Sequence, residues 1–144
     1  MPPLSPSEAI RLGKMRPTKP ELLLIDLMRD YRAIRNAYFG NTIPPTEEVL
    51  LRFLPREEIG RLSGYDDKET DGLCSFGKFS KSIVCPKSIL LADDLKPAEA
   101  RITLLHEMAH MKVDIKFNRP MGHGKHFQKE MQRLAKCGAF ANWW

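Results

Sequence analysis

Two histidines and a glutamate carry the clearest chemical signal in this chain, in the run His106-Glu107-Met108-Ala109-His110. Side chains four residues apart on a helix lie one above the other, so both imidazoles can reach a single metal ion. Glu107 lies one residue's rotation away from His106, near enough to act on a water beside the metal without ligating it. This is the HExxH pattern of zinc hydrolases, and metal-assisted hydrolysis is the chemistry it serves.

A catalytic zinc site takes three protein ligands and keeps one position open. The position six residues beyond His110, where a metzincin has its third histidine, is Lys116, so that form is excluded. Only two other histidines exist, in Met121-Gly122-His123-Gly124-Lys125-His126-Phe127. His123 is the preferred third ligand, because its flanking glycines let the backbone turn sharply and present the ring to another helix. His126 falls on the first turn of the following helix, where a ligand's neighbour, a substrate-facing group or a solvent-exposed side chain would stand. Asp114 and Glu130 are the remaining ligand candidates.

These residues need elements to hold them. Ser5-Pro6-Ser7-Glu8 reads as a capping box opening a short helix over 6–14, within a proline-rich arm, residues 1–19. Residues 20–144 are expected to form the main domain. Thr18-Lys19-Pro20-Glu21 opens a helix over 20–39, with Leu23, Leu27, Tyr31, Ile34 and Tyr38 on one face and Gly40 as its stop. Val49, Leu51 and Phe53 alternate with their neighbours as a strand does. Residues 59–65, 73–79 and 82–85 are weaker strand candidates, and short connections between them predict an antiparallel sheet. Pro97 opens a second long helix to about residue 115, whose Ile102, Leu105, Ala109 and Val113 are available to bury the flanks of the histidine pair. A third helix, over 124–136, carries the apolar stripe Phe127, Met131, Leu134 and Ala135 and ends at Gly138. The fold class expected is α+β: a small antiparallel sheet packed with an N-terminal helix, the HExxH helix and a C-terminal helix.

The 144 residues suit one domain, and 42% apolar with 28% charged residues is ordinary globular composition. The longest apolar runs, 22–25 and 89–92, are far below the ~20 residues of a membrane span, and the first residues lack a signal peptide's basic stretch and apolar core. A cytoplasmic location and no membrane partner are the expectation. Three cysteines, Cys74, Cys85 and Cys137, form no C-x-x-C pair, which fits a reducing compartment and excludes a cysteine zinc ribbon within the chain; a Cys74–Cys85 bridge is allowed by spacing alone. Phosphate loops, dinucleotide fingerprints and nucleophile elbows are absent.

The net charge of +5 is unevenly spread: +3 over residues 1–40, −2 over 41–118 and +4 over 119–144. Lys125, Lys129, Arg133 and Lys136 near the C-terminal end are candidate nucleic-acid contacts or simply the solvated face of the third helix. Trp143-Trp144 are candidates for stacking on unpaired bases or for closing an apolar seam.

The chain resembles the SprT-like zinc metalloprotease family, the Spartan-type protease domain. The likeness lies in Tyr38-Phe39-Gly40 with Ile43-Pro44, in Gly72-Leu73-Cys74, in the run from Thr103 through His110, and in Gly122-His123-Gly124 followed by Phe127 and Met131. It implies a zincin-like fold, one zinc held by His106, His110 and His123, Glu107 as catalytic base, and a protein or peptide substrate. It also implies DNA-associated proteins as targets. Two departures weigh on that last point: Lys125 and His126 stand where members commonly have Pro and Glu, and no zinc ribbon follows. Tyr65, Tyr38 and His126 are the candidates for steadying a developing oxyanion. The alternative reading is a non-catalytic nucleic-acid- or protein-binding module with a structural zinc, which would need His126 as a fourth ligand.

Overall fold

Leu27, Tyr31 and Ile34 recur at helical spacing and are all buried, as an inward stripe requires. They belong to α1 (Lys19–Ile34) in the computed structural model, which describes residues 19–63, 71–76, 79–80, 83–84 and 87–140. The helix extends to Phe39 as expected, but Arg35–Phe39 is a π-turn, which buries Phe39 before Gly40 ends the run at φ +57°. The chain then returns along α1. Tyr31 donates its hydroxyl to Pro44 O at 2.5 Å and Arg35 Nε donates to Ile43 O at 3.0 Å.

Among the described residues five strands follow: β1 (Val49–Leu54), β2 (Gly72–Phe76), β3 (Phe79–Ser80), β4 (Ile83–Val84) and β5 (Lys87–Ala92). β3 and β4 pair with each other, while β1, β5 and β2 form a three-stranded sheet in that order. The sheet is mixed, which corrects the antiparallel expectation. β5 runs antiparallel to β2 (Cys74 opposite Ile89) but parallel to β1 (Leu51 opposite Ile89). The reason is topological: α2, β2, β3 and β4 intervene between β1 and β5, a crossover long enough to permit parallel pairing. β5 was not foreseen as a strand at all. It is central, with Ile89, Leu91 and Ala92 fully buried, and a strand covered on both faces loses the alternation that betrays a half-exposed one.

A second correction concerns residues 59–65. α2 (Arg56–Ser63) occupies most of that stretch as a helix. Pro55 O accepts the first amides, from Glu58 and Ile59, and Glu57 and Glu58 lie at the positive end of the helix dipole. Ile59 is its fully buried apolar anchor. The expected helix over 6–14 and the polar turn before Gly72 lie wholly or largely outside the described residues, as do Tyr65, Cys85 and Trp143-Trp144.

α3 (Pro97–Phe117) is the central helix. Pro97 takes its first position, and Glu99 Oε1 accepts the Lys96 N–H at 3.0 Å. Leu105, Ala109 and Val113 are buried as expected, and Leu104, Met108 and Met111 join them; Ile102 is half-buried. α4 (Lys125–Lys136) packs on α3 through Phe127 and Leu134. Ala135, expected inward, is exposed, and Glu130 takes the inward position, since it lies one turn before Leu134.

Glu130 is tolerated there because cations meet both of its oxygens. Lys112 Nζ of α3 lies 2.8 Å from Oε2, and Arg133 holds Oε1, with its Nε at 2.9 Å. Arg133 also donates to Tyr38 O at 2.8 Å, so one carboxylate ties α4 to α3 and to the end of α1. Removing Glu130 takes the carboxylate from two half-buried cations, Lys112 and Arg133. Glu130→Ala is expected to destabilise the fold by about 2–4 kcal/mol, measured by urea denaturation.

Candidate metal centre

α3 presents His106 and His110 on one stripe because they are a turn apart. The third ring arrives from the loop that follows. Asn118 ends α3 in the left-handed region at φ +53°, and Gly122 turns the chain at φ +65°, where a side chain would be strained. The three Nε2 atoms then meet: His106 to His110 at 3.1 Å, His110 to His123 at 3.0 Å and His106 to His123 at 3.3 Å.

A closed triangle of neutral ring nitrogens cannot satisfy itself. Each Nε2 either donates or accepts, so at most two of three contacts can be hydrogen bonds. A cation at the common point takes all three lone pairs. At the ~2.0–2.1 Å of a zinc–imidazole bond, two corners of a tetrahedron stand about 3.3–3.4 Å apart, close to the separations seen. Among the described residues, His106, His110 and His123 form the one group able to hold a metal ion, so the donor set fits.

Phe127 braces the cluster, a part not foreseen for it. Its buried ring stacks on His110 at 4.1 Å and 16°, and meets His106 and His123 edge-on at 4.9 and 5.1 Å. A phenyl ring four residues after His123, on the inward stripe of the next helix, was the available signal. The carbonyl of His123 accepts from Gln128 Nε2 at 3.2 Å.

The rings border a cavity of about 550 Å³ that Glu107, Cys74 and Asp114 also line. Its far wall is close because Gly72 of β2 lies against α3: a Cβ there would stand 2.9 Å from Thr103 Cγ2 and 3.2 Å from Leu90 O. Burial, with help from His106 and His123, pushes the His110 imidazole down to about 3, and burial also lowers His106. Both are neutral at pH 7, the state that ligates. Burial and then Asp114 raise the Glu107 carboxyl to about 8. Burial holds the free Cys74 thiol well above its ordinary value, so it is no thiolate nucleophile.

The other candidates lie outside the histidine cluster. The His126 ring lies against Phe117 at 4.3 Å, outside the cluster. Asp114 accepts the Met121 N–H, and Glu130 is spent on Lys112 and Arg133. Lys125, Lys129 and Lys136 are exposed on α4, whereas Arg133 is committed to Glu130 and Tyr38. Neither Tyr38 nor His126 is among the described residues lining the cavity.

The raised Glu107 carboxyl makes a signed prediction for protein stripped of metal by a chelator. Between its unfolded value of 4.5 and its folded value of about 8, the native state holds a proton that the unfolded state has lost. Its stabilising contribution is therefore complete below pH 4.5 and is lost as pH rises through about 8. Glutamine mimics the protonated acid at every pH. The advantage of Glu107→Gln over wild type in thermal melts should grow from about pH 4.5 to about pH 8 and then level off.

A family model described as SprT-like matches residues 36–142. Comparison with curated proteins and with solved structures yields no match. With the match spanning α3, the loop after it and α4, as well as the sheet, the chain belongs to the SprT-like family.

Proposed function

We propose that this chain is a zinc metallopeptidase of zincin-like design, with α3 as its active-site helix. The observation that carries the reading is the meeting of three imidazole nitrogens at 3.0–3.3 Å beside a buried glutamate in one cavity. His106, His110 and His123 would hold one zinc ion. A zinc ion so held supplies Lewis acidity to the scissile carbonyl and makes a water easier to deprotonate.

The chain's own groups do the rest. Glu107 takes a proton from the attacking water and passes it to the leaving amine. Its buried surroundings disfavour the carboxylate, and a neighbouring dication favours it, so the two effects set its proton affinity against each other. His110 and His106 stay neutral by burial and are free to ligate at pH 7. The cavity between α3 and β2 receives the substrate chain. Three ligands leave a fourth position open, as a catalytic site needs; with the His126 ring against Phe117, a closed structural site has no fourth donor in the described cluster. The peptidase domain in this reading is residues 20–144.

We further propose DNA-associated proteins as substrates, with the exposed Lys125, Lys129 and Lys136 of α4 as the phosphate contacts. No described helix is long and apolar enough to cross a membrane.

Purified protein should carry about one zinc per chain by elemental analysis, and His123→Ala should lose most of it. Glu107→Ala should keep the zinc and lose proteolysis of an unfolded substrate; wild-type cleavage by that variant would exclude the mechanism. Titration against single- and double-stranded DNA should show binding that weakens steeply with salt, and replacing the three lysines by alanine should flatten that slope.

A further inference from the structure

His123 is the exposed member of the cluster and stands in a loop, so something else must hold it in place. Left loose, it would pay ordering entropy each time the cluster assembled. Asp114 binds the loop to α3 at two points. Asp114 O accepts the Arg119 N–H at 3.1 Å, and Asp114 Oδ1 accepts the Met121 N–H at 2.9 Å. Residues 119–121 are thereby folded back on the last turn of α3, and Gly122 then swings His123 over His110. Asp114 is buried, at 7% exposure, and a buried acid is costly unless it is hydrogen-bonded.

The spacing fits that duty. Asp114 is four residues after His110 and eight after His106, so one stripe of α3 carries two rings and the tie for the third. The tie ends two residues before His123, and Gln128 secures the carbonyl of His123 from the other side.

Resting on the metal-centre reading above, we propose that Asp114 is a positioning residue: it accepts the Met121 N–H to hold the His123 loop in the geometry that binds zinc, and does not ligate the ion. Asparagine can do the same work, because its amide oxygen accepts the same bond; alanine cannot.

The test is zinc affinity, measured by competition with a chromophoric chelator on the full chain, with a thermal melt of each variant. Asp114→Ala should bind zinc about 10–100-fold more weakly, the range typical of groups that orient a metal ligand. Asp114→Asn should stay near wild type. In a His123→Ala background, Asp114→Ala should weaken zinc no further, because the ring it positions is gone. Should Asp114→Ala fail to fold, Met121→Pro deletes the donor and leaves the carboxylate in place, and it should weaken zinc in the same way. Unchanged affinity in Asp114→Ala, or in Met121→Pro, overturns the proposal. So does an Asp114→Asn as weak as His123→Ala, which would make the carboxylate a ligand. So does a full additional loss in the His123→Ala background. Wild-type protein that takes up no zinc, or zinc uptake indifferent to His106→Ala, sinks the metal-centre reading along with it; normal uptake with an unchanged Asp114→Ala sinks the positioning role alone.

Discussion

Three ring nitrogens held 3.0–3.3 Å apart with too few protons to bond one another set the terms for this molecule. Bringing them together costs desolvation and chain entropy, and only a shared electrophile uses all three lone pairs. Two of the rings come cheaply, since one helix turn fixes their spacing. The third must cross from a loop, and the rest of the fold can be read as what makes that crossing reproducible: a left-handed stop at Asn118, a positive-φ turn at Gly122, a phenyl platform from α4 and a backbone tie to α3.

The loop could not be held by α4 unless α4 were itself fixed to α3. Phe127 and Leu134 supply apolar packing, and Glu130 supplies direction, because its two oxygens face cations from different elements. A buried ion cluster is a weak source of net stability but a strong source of geometry: any slip of α4 along α3 leaves a charge unpaired. Arg133 carries the same constraint to the π-turn at the end of α1 through Tyr38 O, so the N-terminal helix is coupled to the elements that frame the site.

Among the described residues, three buried acids thus meet three fates. Glu130 is fully paired with cations. Asp114 accepts one backbone N–H, from Met121. Glu107 faces the cavity, where burial and Asp114 both push its carboxyl upward. The first two tie elements of the fold together, whereas the third lies beside the three imidazoles.

The amino-acid sequence by itself determined what depends on local spacing. It marked the helices with period near 3.6 and clear caps, the alternating strand Val49–Leu54, and the HExxH and Gly-His-Gly segments, since a helix turn and a glycine's φ are set by neighbours in the chain. It hid β5, whose continuous apolar run has no period when both faces are covered, and it misread α2, whose single buried Ile59 offers too few apolar positions to declare a helix. The parallel pairing of β1 with β5, the inward Glu130 in place of Ala135, and the bond from Met121 N–H to Asp114 were decided only by the tertiary structure, because each depends on a partner 7 to 38 residues away whose approach no periodicity of the sequence encodes.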